Sequence, residues 1–558
     1  MKRRFLSVLL VLTLILASAS TVFATSTSDW TTIGGNNDHT GVIATTAPYT
    51  TSTVVTSGNI PNKGNWSVVT STPVMQEENG VTYGYILYKG TNSARIAKIA
   101  CTAGTGISIG QVIWNIPVGG GAGNQLSTPL LYNNSLYYAT SVATSVDSYN
   151  GQSGHTQSQT ITRTLSLTGG SYRLNVPCQL TNSGTVTLQV SVTKPDNTTV
   201  SLDLNNNSVN ETGTNTVLTL TSSSTSNLNK NYSEVFTTTG TYTITYTFTR
   251  TSGTYKIGTI ALFLNENELH KIDDVTVSSN PQISNVAVGL PGMGQINTPI
   301  TTDGTYIYYG TWYSANANGQ YYQVKISDGS YKSITSGTGY GFYWAGAITK
   351  GNYVYFGGDG GYLYYRSVSN FDTSGGYISL GSSAGNVRSS ISTDGTYLYF
   401  TSQGGYLWKV TPNGGSSTKT SIAIGGTSTS TPAITGSRIY VGYYGSFSSG
   451  GVQVVDLSNF SAGPTTLSFM VDVDEDGTPE TFSQPVQSSI AVKTTSSADY
   501  IYFTTNSANG AGYCVSYNGT TATKIWKSAK GGYTLQGMAV CNGSAIFGND
   551  NGKYYIPH

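Results

Sequence analysis

The chain is short of charge, cysteine and histidine, and after its first residues it has no long apolar run. Charged residues occupy 9% of its 558 positions, against about 25% in ordinary soluble domains. Lys and Arg (27) nearly balance Asp and Glu (26), for a net charge of +1. That balance gives no electrostatic footing for nucleic acid or anionic lipid, so neither is expected as a partner. The four histidines (His39, His155, His270 and His558) are too scattered for a zinc site. The four cysteines (Cys101, Cys178, Cys514 and Cys541) contain no CxxC and do not make a disulfide framework. Cys514 and Cys541 lie in neighbouring repeats and are the pair that one disulfide would join. There is no GxSxG elbow at a strand-to-helix turn, and no P-loop lysine follows VGGGAGN (118–124), which argues against hydrolase and nucleotide chemistry.

What is present begins with an export signal. Lys2, Arg3 and Arg4 precede an apolar stretch from Phe5 to Ala17, and Val22-Phe23-Ala24 is a small-x-small cleavage site. The apolar stretch is too short to span a bilayer comfortably. Residues 1–24 therefore read as a signal peptide, and the remainder as secreted, extracellular or cell-surface associated, with no membrane span. Gly (67), Tyr (41) and abundant Ser, Thr and Asn replace the missing charge, a mixture suited to short strands and tight turns.

The strands repeat. An aromatic strand follows a polar turn at 79–88, 133–139, 303–310, 351–358, 394–401, 436–442, 498–504 and 542–548, as in DGTYIYYG and DGTYLYFT. A further strand follows each, as in GGYLYYRSV (360–368) and GGYLWKV (404–410), and small-residue strand starts such as STPV, NTPI and STPA precede them. Ile307 to Val354 is 47 residues, Val354 to Leu398 is 44 and Leu398 to Ile439 is 41. Several strands per unit at this period are the signature of a β-propeller. The expected fold is all-β, an eight-bladed propeller, or seven-bladed if the terminal units are degenerate. The last unit runs out of chain, so STVVTSGNI (52–60) is the natural donor of its outermost strand.

One interval is too long: Leu136 to Ile307 is 171 residues. Within the excess, Val186, Leu188, Val190 and Val192, then Tyr242, Ile244, Tyr246 and Phe248, alternate with polar residues. Period-two alternation means half-buried antiparallel strands, and several of them suggest a β-sandwich or jelly roll. The division expected is propeller over 25–142, inserted sandwich over 143–265, and propeller again over 266–558. The insert falls between the second and third strands of its blade. It therefore rises from the face that also carries the loops joining one blade to the next.

The STP strand starts, the third strands GGYLWKV and LHKID, and the tryptophans of VIWNI (Trp114) and KIWKS (Trp526) resemble those of pyrroloquinoline-quinone (PQQ)-type propellers, the quinoprotein alcohol dehydrogenase-like family. The opening DWTTIGGNNDHTG (29–41) is similar to a segment preceding many secreted members. The resemblance covers nearly all of the exported chain outside 143–265, and the sandwich resembles carbohydrate-binding modules. It implies a fold that serves both quinone dehydrogenases and non-catalytic scaffolds. A dehydrogenase would need cations for a tricarboxylate quinone, a Ca²⁺, a catalytic Asp and, in the alcohol dehydrogenases, two adjacent cysteines. The adjacent cysteines are absent and Arg388 is the best single cation, so catalysis with PQQ is not expected and no catalytic residue is assigned.

Two constellations remain. In VDVDEDGTPE (471–480), Asp472, Asp474 and Asp476 before Gly477 form a D-x-D-x-D-G start that turns alternate carboxylates onto one hard cation. Thr478 would add a backbone carbonyl and Glu480 a further carboxylate, around a structural Ca²⁺. The alternative is a solvated acidic turn. Trp312, Tyr313, Tyr340, Tyr343, Trp344, Tyr443 and Tyr444 fall in loops assigned to the insert's face, where Tyr and Trp suit sugar rings and protein partners alike. The alternative there is packing between blades. The function expected is that of a secreted binding or surface protein whose partner is an extracellular glycan or a surface protein. A quinone-dependent redox enzyme and a structural subunit of an extracellular assembly stand as alternatives.

Overall fold

The computed structural model describes residues 29–118, 127–204, 211–220, 226–232, 234–291, 294–312, 319–336, 341–446 and 448–558. The signal peptide expected over 1–24 lies outside them. Among the described residues the main body is a succession of antiparallel four-stranded units, each a simple meander. The fourth, for example, is Ile348–Lys350, Tyr353–Gly358, Tyr362–Ser367 and Gly375–Ser379. The fifth is Ser392–Thr393, Leu398–Ser402, Tyr406–Val410 and Lys419–Ala423. The strand expected at 52–60 is Val55–Asn59. It pairs with the carboxyl-terminal strand Lys553–Pro557, Val55 opposite Pro557 and Asn59 opposite Lys553. The eighth unit is therefore built from both ends of the chain: Ala539–Cys541, Ser544–Gly548, Lys553–Pro557 and Val55–Asn59.

Side chains explain why these short segments hold as sheets. In both DGTY turns the aspartate caps the hairpin. Asp303 accepts from the amides of Thr305 and Tyr306 and from the Tyr308 hydroxyl (2.7 Å). Asp394 does the same for Thr396, Tyr397 and the Tyr399 hydroxyl (2.9 Å). The hydroxyls of the strand starts extend the ladder inward. Thr298 Oγ1 accepts from Gly310 N (2.7 Å) and donates to Gly310 O (3.1 Å). Ser389 Oγ does both for Thr401 (2.9 and 3.1 Å), and Ser488 Oγ does both for Thr504 (3.3 Å each). A hydroxyl takes the place of a main-chain pair at the narrow inner end of each of these sheets.

Successive sheets pack face to face. Leu131, Leu136 and Tyr138 of the second unit lie against Val74, Tyr85 and Trp114 of the first. Tyr321 of the third meets Val354 and Phe356 of the fourth, and Tyr399 of the fifth meets Ile439 and Val441 of the sixth. One cluster joins Tyr502 and Trp526 of the seventh, Ile546 and Phe547 of the eighth, and Met75 and Ile86 of the first. The packing thus closes on itself, which is the arrangement of a β-propeller. Burying the faces of wedge-like sheets against their neighbours is what makes so glycine-rich a chain compact.

Residues 29–49 line the inner rim of this ring. Trp30 exchanges backbone bonds with Met75, Leu131 N donates to Thr31 O, and Thr32 Oγ1 donates to Ile300 O. Thr393 N and Ile434 N donate to Asp38 O and Thr40 O, and Val42 bridges Val492. His39 is buried, with Nδ1 2.7 Å from Ile391 O. Burial lowers its pKa to about 4, against the raising effect of that carbonyl. Gly41 has φ +68, and a Cβ there would sit 2.6 Å from Ile490 O, so only glycine lets the segment pass this close.

Two strands leave the ring. Ser135–Asn150 and Thr259–Ile272 pair from Leu136↔Ile272 to Asn150↔Thr259, with one irregularity at Leu262/Phe263. The expected boundaries at 143 and 265 fall inside these strands. Beyond them, Ser171–Leu180, Ser226–Tyr232, Tyr255–Ile257 and Ser153–His155 extend the same sheet. A second sheet, with Thr185–Thr193 and Gly240–Ser252 at its centre and Gln159–Leu167 at one edge, faces it. Val186, Leu188, Val190, Val192, Tyr242, Ile244, Tyr246 and Phe248 are all buried between the two.

All four cysteines are buried thiols, and the Cys514–Cys541 disulfide is not formed. Cys514 sits in a third strand, opposite Tyr502 and Trp526, whereas Cys541 ends the innermost strand of the next sheet. The two lie at different depths from the axis, a separation invisible in sequence spacing.

Candidate functional site

Loops between strands and between sheets bring Trp312, Tyr343, Trp344 and Arg388 together. Arg388 precedes the inner strand of the fifth sheet, and its Nε and Nη2 donate to Asp359 Oδ1 and Oδ2 at 2.8 and 2.9 Å. Trp312 Nε1 donates to Asp359 Oδ2 at 2.8 Å. The guanidinium lies 4.9 Å from the Tyr343 ring centroid and 5.4 Å from that of Trp312. Trp312 meets Tyr343 edge-on at 5.1 Å, and Tyr343 packs on Trp344 at 4.5 Å. Burial raises the Tyr343 hydroxyl, partly offset by Arg388. Arg388, the best cation for an anionic cofactor, is therefore engaged by a carboxylate 4% exposed.

Asp359 was not among the residues singled out from sequence. Its signal was there: a lone carboxylate in GGDGG (357–361), just after an aromatic strand. Tyr313 and Tyr340 lie outside the described residues. Tyr443 and Tyr444 lie near the end of the strand Arg438–Ser446, with Tyr443 beside Gly426 and Gly451 and Tyr444 bridged to Thr427. Among the described residues no ring contact joins them to Trp312.

Trp344 has φ +55, uncommon for a bulky residue. Its indole nitrogen is buried without a partner. It lines a cavity on the ring axis with Ile33, Thr128, Ser390, Thr431 and Gln536, residues contributed by different sheets. That cavity has a volume of about 10 Å³, room for about one water.

The acidic loop is a separate feature. Met470–Val471 and Glu480–Thr481 pair as a short hairpin. Between them, carboxylate oxygens of Asp472, Asp474 and Asp476 lie within 4.8 Å of one another. Asp472 accepts from the amides of Asp476 (3.1 Å) and Gly477 (2.8 Å). Desolvation, the largest single contribution, pushes the Asp472 carboxyl up, but these amides together hold it below the usual range. Glu475 has φ +62 and pairs with Lys527 at 2.7 Å. Glu480 turns instead to the Val473 amide (3.1 Å), and Thr478 N donates to Asp476 Oδ1 (2.7 Å). The three aspartates thus converge, and Glu480 is outside their group.

No protein-family model matches the chain, and no curated protein matches it. Among solved structures it is similar to a quinohemoprotein alcohol dehydrogenase from Comamonas testosteroni, at 8% identity over 96% of this chain and 81% of that one, with a TM-score of 0.48. It is also similar to BamB from Moraxella catarrhalis, at 11% identity over 53% of this chain and 79% of that one, TM-score 0.35. The WD40 repeats of RRP9 match at 11% identity over 52% and 90%, TM-score 0.33.

Proposed function

We propose that this is an exported, non-catalytic binding protein: an eight-bladed propeller with an inserted β-sandwich, engaging an extracellular glycan or a surface protein. The observation that carries the reading is the state of the axis. The cavity beside Trp344, of about 10 Å³, is far below the ~300 Å³ at which small-molecule sites begin, and the larger one along residues 29–45, about 280 Å³, is lined by Asp29 and Asp38 and by no Lys or Arg. Arg388, the best single cation, lines neither cavity and is bound to Asp359. These residues do not fit a tricarboxylate quinone, which needs both volume and uncommitted positive charge. A scaffold that presents its loops and its insert is the use that remains.

Asp472, Asp474 and Asp476 would hold a Ca²⁺, with the Thr478 carbonyl as a further oxygen, and the ion would brace the long loop between the sixth and seventh sheets. Its support is the convergence of three carboxylates in a chain with 26 acidic residues in all.

The test is retention of residues 25–558 on insoluble polysaccharides and cell walls, with Ca²⁺ and with EDTA. A companion variant replaces 151–258 by a two-residue turn, because Asn150 and Thr259 already face each other. Retention on one polymer supports the glycan form and the companion locates it. Failure on every polymer sinks that form and leaves the protein partner.

A further inference from the structure

At the seam where the eighth sheet meets the first, Trp66 is 80% exposed. Trp66 and Ser67 have φ of +39 and +49, a strained conformation that persists at such residues only where their surroundings impose it. Here they do. Gly64 N donates to Lys89 O (2.9 Å), Lys89 N to Val68 O (2.8 Å), and Val68 N to Asp550 O (3.1 Å). The backbone is tied on both sides of Trp66 while its indole stays in water.

A second exposed aromatic stands nearby. Tyr533 is 42% exposed, and its carbonyl accepts from Asp550 N at 3.0 Å. Asp550 is thus bonded through its N–H to the Tyr533 segment and through its C=O to the Trp66 segment. Asn549 and Asn551 both donate to Gly531 O (2.5 and 3.1 Å), fixing the Tyr533 loop. Asp550 is part-exposed: its Oδ1 is buried without a partner, so Oδ2 is the oxygen open to a ligand.

We propose that Trp66, Tyr533 and Asp550 form a binding site for a neutral polysaccharide chain. Flat ring faces match the C–H faces of pyranose rings, and a carboxylate accepts sugar hydroxyls strongly. A protein partner fits less well: a stable interface needs about 800 Å² a side with an apolar core. The neighbours of Trp66 in the chain are instead Asn62, Lys63, Gly64, Asn65 and Ser67. An anionic chain is disfavoured by the like charge of the Asp550 carboxylate that the site would share. The site is on a different seam from the Trp312 cluster and goes beyond the general binding role.

The test titrates the exported chain with cellohexaose, xylohexaose, mannohexaose and chitohexaose by calorimetry and tryptophan fluorescence. At least one binds, Trp66→Ala weakens it about ten-fold or more, Tyr533→Ala and Asp550→Asn weaken it less, and Trp66→Phe restores part. Trp66→Ala keeps the unfolding temperature, since the indole is exposed. Binding by none of the four, or undiminished binding by Trp66→Ala, overturns the site. If Trp312→Phe abolishes binding while Trp66→Ala does not, this site falls and the general binding role stands.

Discussion

Removing the Asp359 carboxylate is the sharpest test of how the aromatic cluster is held. In Asp359→Ala, Arg388 loses hydrogen bonds of 2.8 and 2.9 Å and Trp312 Nε1 loses its acceptor at 2.8 Å. Breaking a buried ion pair from one side costs about 3–5 kcal/mol, because a charge is left unpaired. Arg388 is 18% exposed and can recover some water, so the lower end, about 3 kcal/mol, applies. Arg388→Ala strands a carboxylate only 4% exposed and costs about as much. In the double variant no charge is stranded, so its cost stays close to that of one single variant, a coupling of about 2–3 kcal/mol. The assay is denaturant unfolding of all four proteins, followed by tryptophan fluorescence and compared at a common slope. Additive single effects, or an Asp359→Ala cost below about 1 kcal/mol, would refute the reasoning and leave Arg388 available to an anion.

The remaining expectations concern metal, protons, thiols and closure. Ca²⁺ at a hundred times its Kd should stabilise the chain by about 2.7 kcal/mol, and Asp474→Asn should abolish the thermal shift. His39 has a folded pKa lowered from 6.5 to about 4. Its contribution is therefore whole above pH 6.5 and lost as pH falls toward 4, a loss that His39→Gln should flatten in unfolding measured across that window. Asp550 has the opposite sign: burial raises it from 3.8 to about 6, so its contribution is whole below pH 3.8 and lost as pH rises through 6, and Asp550→Asn should remove that slope. Burial raises the Cys178 thiol to about 12, and the other three thiols are buried as well. A thiol reagent should label none of the four until the chain unfolds. Deleting 52–60 should expose the edge of Lys553–Pro557 and produce concentration-dependent association in light scattering.

The repeat was legible because its local chemistry is loud. DGTY turns and hydroxyl strand starts serve the same hydrogen bonds in several sheets, so spacing alone located the inner strands. The alternation of Val186 to Val192 and Tyr242 to Phe248 was equally direct, since one face of each strand is buried. Closure of the last sheet by 52–60 was legible too, but side-chain pairing between sheets was not. Asp359 lies 29 positions from Arg388 and 47 from Trp312, and no local pattern links them. The Cys514–Cys541 pairing failed for a related reason: adjacency of repeats says nothing about depth from the axis. Trp66 passed unnoticed because exposure is a property of the folded seam.

The paired strands 135–150 and 259–272 have a mechanical consequence. Along the outer side of Thr259–Ile272, the strand Ile283–Pro291 covers it as far as Glu266, and Ser171–Leu180 takes over from Asn265. The ladder passes from ring to insert without an unsupported residue at which the chain could swivel. The insert is therefore a fixed lever, with its orientation set by sheet register. Two ligand contacts, one on each part, would be made at a constant separation, and only a target whose own spacing matched could gain from both at once.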